Sequence, residues 1–180
     1  GRYRSPAEAE EVIRRVEAAL AAAEAHRPSL AAWLVNDMVL VGWHPVGMLG
    51  HVFLHANLAH LLGNMIFLLV FGNAVCGKIG GGPYLGLFFL LALIAAAAHN
   101  LFDGGPAVGA SGAVNGVVGM FLVLYPLNNV RSFYYVLYRV GVFTVGGVFV
   151  ILYWLAFDIL GAVLGLPGVA YWAHLGGIAG

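Results

Sequence analysis

Residues 107–125 read AVGASGAVNGVVGMFLVLY, a run without a single charge. Its length approaches the ~20 apolar residues that cross a bilayer as a helix. Similar runs flank it at Leu58–Gly77, Tyr84–Phe102 and Val140–Leu164, and a last one starts near Gly168 and is read as cut short at Gly180. The 180-residue chain is 62% hydrophobic and 9% charged, against about 25% charged in soluble domains. The sequence therefore predicts an all-α polytopic membrane protein.

The few charges are unevenly placed. Between Met38 and Gly180 only Lys78, Asp103, Arg131, Arg139 and Asp158 carry one, and nothing in this pattern suggests a nucleic-acid partner. Cys76 stands alone, so no intramolecular disulfide is expected. The positive-inside rule puts the loops of Lys78 and Arg131–Arg139 in the cytoplasm and the Asp103 loop outside. The spans beginning near Leu58, Ala107 and Gly168 then all start at the outer face. The five arginines of residues 1–28 fit that orientation poorly.

Residues 1–28 have another character. Acids and arginines interleave with Val12, Ile13, Val16 and Leu20 near helical spacing, after the helix-start signal Ser5-Pro6. This segment reads as an amphipathic, solvent-exposed helix, and without an apolar centre it is not a signal peptide. Residues 29–57 are broken by Asn36, Asp37, His44 and Pro45, so they read as an interfacial loop region or half-buried hairpin. Residues 58–180 form the transmembrane core.

Polar groups inside the core are the informative exceptions. At ~1.5 Å per helical residue, Ser111 lies roughly 6 Å and His174 roughly 9 Å inside their spans. His60 and Asn64, at i and i+4 in the first turns of the span near Leu58, project from one side of one helix. All four converge on one depth near one membrane face. A serine becomes a nucleophile when a base takes its proton, and His174 is the available base. No carboxylate is placed to orient His174, so the expectation is a dyad. His60 and Asn64 can each donate to a developing oxyanion, where one donor is worth about 2.7–4 kcal/mol. Gly112, Gly116 and Gly119 on one helix, with Gly176, Gly177 and Gly180 on the other, form small-residue strips that permit close helix approach.

Three motifs in this order, His55-Ala56-Asn57-Leu58-Ala59-His60-Leu61-Leu62-Gly63-Asn64, Gly109-Ala110-Ser111-Gly112 and Ala173-His174-Leu175-Gly176-Gly177, resemble the rhomboid family of intramembrane serine proteases. The resemblance covers about His51 to Gly180. It implies a rhomboid-like helical bundle of about five to six transmembrane helices in a bacterial inner membrane. It implies a catalytic pair of Ser111 and His174, and an oxyanion hole from His60, Asn64 and the Ser111 N–H. The implied partners are transmembrane protein substrates and the lipid bilayer, with no cofactor. No feature sets an oligomeric state. Two positions depart from the family pattern. Pro45-Val46-Gly47-Met48 stands where many members carry a Trp-Arg pair, and Asn115 stands where some place an aromatic one turn after the serine.

The other polar residues receive plainer readings. His51, His55 and His60 could suggest zinc, but no His-Glu-x-x-His or nearby acid accompanies them, so no metal is expected. His55 reads as a loop anchor, and His99 and Asn100 as interfacial. Asp158, deep in its span, faces a cavity, closes a gate or marks the end of the apolar run, and it stays outside the site. Gly141, Gly146 and Gly147 suggest that Val140–Leu164 is a mobile side entrance. A non-catalytic relative that binds client transmembrane helices would have lost the serine or the histidine, and both are present. A transporter would show broken spans and internal repeats around a midplane site; no internal repeat is found, and the polar cluster lies too near one face.

Overall fold

Asn57 opens the first long helix by a local capping bond. Its side-chain oxygen accepts from the His60 N–H at 2.8 Å, satisfying a donor that a helix start leaves unpaired. From there α3 runs over Leu58–Ile79, with a π turn at Leu68–Gly72. A Cβ on Gly72, within that turn, would meet the Tyr84 hydroxyl at 2.6 Å. Before α3 come α1 (Leu30–Met38), α2 (Pro45–Gly50) and a 3-10 turn at His51–Phe53. Gly80, at φ +87°, reverses the chain into α4 (Gly81–Phe102). Then follow α5 (Ser111–Leu124), β1 (Asn129–Val136), β2 (Arg139–Gly146), α6 (Gly147–Leu164) and α7 (Tyr171–Ala179).

This computed structural model describes residues 10–11, 14–15, 17–18, 30–136 and 138–180. The chain divides into two compact units, Gly1–Asn36 and Asp37–Gly180, and the polar residues singled out above lie in the second. In the first unit the described residues among 10–18 are helical, and Glu11 bridges Arg14 and Arg15, each at 2.8 Å. The apolar positions Val12, Ile13, Val16 and Leu20 lie outside the described residues.

The second unit is a helical membrane bundle. Among the described residues three helices are long and apolar enough to cross a bilayer, Leu58–Ile79, Gly81–Phe102 and Gly147–Leu164, and Ser111–Leu124 is a shorter apolar helix. Its surface is apolar: Leu58, Leu62, Ile66 and Leu69 of α3 and Phe149, Tyr153 and Val163 of α6 are exposed. His51, Asn64, His99 and Asp158 are buried. Lipid as solvent explains that inversion, since tails accept leucine while unpaired polar groups are costly there. Helix α5 is central, with Gly112, Ala113, Val114, Gly116, Val117, Val118 and Phe121 buried.

Two expectations need correction. The span expected at Val140–Leu164 is helical only from Gly147. Its first residues belong to β2, which pairs antiparallel with β1 from Asn129↔Gly146 to Val136↔Arg139. Valine, phenylalanine and threonine suit a strand as well as a span, and β1 supplies the backbone partners. Of the two readings for residues 29–57, loop and half-buried hairpin, the described residues hold short helices at Leu30–Met38 and Pro45–Gly50 joined by a turn. Finally, the span expected from Ala107 becomes helical at Ser111. Leu40 and Ala107 exchange two backbone bonds, at 2.9 and 3.0 Å, which hold the chain extended there.

Candidate active site

Ser111 is the first residue of α5, at its mouth rather than a turn inside it. The chain reaching it is tied down at several points. Ala107 is paired with Leu40, and the Gly109 N–H donates to the His51 carbonyl at 2.9 Å. His99, in the last turn of α4, is buried, and its Nε2 bonds the Gly105 carbonyl at 2.8 Å. Asn100 donates to the Gly42 carbonyl at 2.6 Å. His99 therefore braces the loop that presents the serine, while Asn100 holds the turn after Leu40, the residue paired with that loop.

Ser111 Oγ lies 2.8 Å from His174 Nε2. On the other side of the ring, His174 Nδ1 lies 2.9 Å from Asp158 Oδ1. A carboxylate only accepts, so a proton on Nδ1 would suit this contact and would leave Nε2 to accept from the serine hydroxyl. His174 and Asp158 side chains are 15% and 12% exposed. This corrects the expectation that no carboxylate orients His174. An aspartate at the centre of a membrane helix costs about 2.5–3.5 kcal/mol to insert and is a functional candidate by default. That signal was available, but sixteen residues of separation in sequence hid the contact.

His60 and Asn64 line the same cavity of about 1290 Å³ as Ser111, Asp158 and His174. Asn64 is 6% exposed and its Nδ2 has no hydrogen-bond partner. The His60 ring sits against Gly109, whose φ of +124° is one that L side chains rarely adopt. A Cβ at Gly109 would lie 2.6 Å from His60 Cε1 and 2.9 Å from Nε2. Gly109→Ala should therefore combine a backbone penalty of about 1–3 kcal/mol with displacement of His60. A serine-directed probe should label it at least about tenfold more slowly, since site geometry is sensitive to shifts well under 1 Å. Labelling at the unsubstituted rate would refute this role for Gly109. His55 meets the His60 ring edge-on, with centroids 5.2 Å apart. Burial first, and then the neighbouring His60, hold its proton affinity below the ordinary histidine range.

The glycine strips bring Ser111 to His174. A Cβ on Gly112 would meet Ala173 O at 3.2 Å, one on Gly116 would meet Gly177 O at 2.9 Å, and one on Gly119 would meet Ile178 O at 2.9 Å. This strip of α5 lies against the backbone of α7. Gly176 and Gly180 face α4 instead, beside Ala98 and Ile94.

A family model for the rhomboid domain matches residues 42–180. The chain belongs to the rhomboid family. It is also 33% identical over 145 residues to "Rhomboid protein 1, mitochondrial" of Saccharomyces cerevisiae, an alignment covering 73% of this chain and 38% of that protein. The chain thus spans well under half of that relative's length.

This rhomboid is an integral membrane protein with two local features of its own. Pro45-Val46-Gly47-Met48 opens α2, where the proline occupies the first turn and needs no N–H partner. Asn115 donates to the Ser111 carbonyl at 3.0 Å, within α5. The aromatic ring beside His174 is Tyr171, on the same helix as the histidine, with centroids 6.4 Å apart. Two of the three glycines that suggest a mobile side entrance lie outside α6. Gly141 and Gly146 lie in β2, and the Gly147 N–H is bonded to the Asn128 carbonyl at 2.8 Å.

Proposed function

We propose that this rhomboid is an intramembrane serine endopeptidase that cuts transmembrane segments of other membrane proteins. The observation that carries the reading is the 2.8 Å contact between Ser111 Oγ and His174 Nε2. His174 Nε2 takes the hydroxyl proton as Oγ attacks the scissile carbonyl carbon. The tetrahedral intermediate places negative charge on the former carbonyl oxygen. Asn64 Nδ2, His60 and the Ser111 N–H are the donors for it. The Ser111 N–H, first in its helix, is among those a helix leaves unused. His174 then passes its proton to the leaving amine, and an ester remains on Oγ. Water, deprotonated by His174, hydrolyses that ester and restores the serine.

A backbone carbonyl already bonded inside a helix is a poor electrophile, so the substrate helix must unwind locally. Cleavage falls near the outer face, from which water reaches Ser111. Phe67 of α3 and Trp154 of α6 meet edge-on at 5.7 Å beside the cavity, and a substrate helix arriving between α3 and α6 parts that contact. We place the protein in a bacterial inner membrane on the motif resemblance alone; the yeast relative is named as mitochondrial.

Reaction with a fluorophosphonate probe in detergent tests the reading. The unsubstituted protein should be labelled on Ser111, and Ser111→Ala and His174→Ala should not. An unlabelled but folded protein would favour a non-catalytic rhomboid that binds client helices.

A further inference from the structure

The two nitrogens of His174 are engaged in opposite senses, one by Ser111 and one by Asp158. The second contact is delivered by a different helix. Asp158 and Gly161 lie one turn apart on α6, and His174 and Tyr171 lie one turn apart on α7. They pair in antiparallel order, Asp158 with His174 and Gly161 with Tyr171. Gly161 is buried, and a Cβ there would overlap the Tyr171 ring, including its Cδ1 at 2.7 Å. The ring also packs edge-on to His174. Tyr171 thus acts as a spacer seated in the notch that Gly161 leaves.

We propose that Asp158 is a positioning residue that holds His174 in its Nδ1–H form, and that the Gly161–Tyr171 contact sets the helix register delivering it. The inference rests on the peptidase reading for its effect on rate but not for its effect on the ring. A neutral imidazole without the carboxylate divides between two tautomers, and the one protonated at Nε2 cannot accept the serine proton. Helix α6 carries no other acid, and no cation of the described residues is bonded to Asp158. Its carboxylate is therefore directed to the histidine.

The test compares Asp158→Asn, Asp158→Ala, Asp158→Glu and Gly161→Ala in the full chain. Asp158→Asn and Asp158→Ala should lower kcat on a transmembrane substrate at least about tenfold, leaving KM unchanged, and slow fluorophosphonate labelling equally. Asp158→Glu, which keeps a carboxylate, should recover part of the rate. Gly161→Ala should reproduce the loss with the carboxylate still present, because the added methyl drives α6 from Tyr171. Nitrogen-15 NMR of labelled histidines supplies the decisive readout. The His174 signal, identified by its loss in His174→Ala, should report a protonated Nδ1 in the unsubstituted protein and a mixture in Asp158→Asn and Gly161→Ala. A purely structural aspartate would change folding or KM without changing the tautomer, and that result overturns the proposal. If the unsubstituted protein fails to label, the peptidase reading falls, while the tautomer measurement still decides the role of Asp158.

Discussion

Ser111→Ala and His174→Ala are each expected to lose cleavage of a transmembrane substrate by about 10⁶-fold, because nucleophile and base act as one unit. Their 2.8 Å contact means that removing either partner stops the same proton transfer. Substrate binding should survive. The walls that would hold a helix, among them Phe67, Trp154 and Phe157, line the cavity from α3 and α6 and carry no group that exchanges the proton. Photo-crosslinking of a substrate helix to Ser111→Ala should thus match that of the unsubstituted protein while product formation vanishes. Turnover within tenfold of the unsubstituted rate in either variant would sink the assignment of nucleophile and base.

The second large effect belongs to a residue without a side chain. A Cβ on Gly177 would run into the Gly112 carbonyl oxygen and lie 2.8 Å from its carbon and 3.3 Å from the Gly116 nitrogen. These are backbone atoms at the start of α5 and cannot swing aside. Gly177→Val therefore forces α7 away from α5, and His174, one turn along α7, moves with it. Overpacking of this kind costs about 1–3 kcal/mol, and a displacement near 1 Å can cost about 10²-fold in rate. Probe labelling should fall by at least about 10²-fold with a lowered thermal unfolding midpoint. Gly86→Val is the control, since a Cβ at Gly86 meets open space, and it should label normally. Normal labelling of Gly177→Val would mean that close approach of α5 and α7 does not set the site.

The readable and unreadable parts of this protein divide along physical lines. Runs such as Leu58–Ile79 and Gly81–Phe102 were legible because crossing a bilayer is a matter of length and hydropathy, both linear properties of a chain. The hairpin of β1 and β2 was not legible, since Val140, Val142 and Phe143 satisfy a strand and a span alike until Asn129–Val136 offers partners.

The site shows the same division. Ser111, His174, His60 and Asn64 stood out in the sequence because hydroxyl, imidazole and amide groups are costly in lipid without a purpose. Asp158 carried the same signal, but its partner could not be named. Which side chain meets which across two helices is set by rotation and register, and here those depend on a tyrosine ring seated over the missing side chain of Gly161. The chemical identity of these groups was thus set by sequence alone. Only packing of α6 against α7 set Asp158 beside His174, because helix register is fixed by side-chain volume in three dimensions and leaves no periodic trace along the chain.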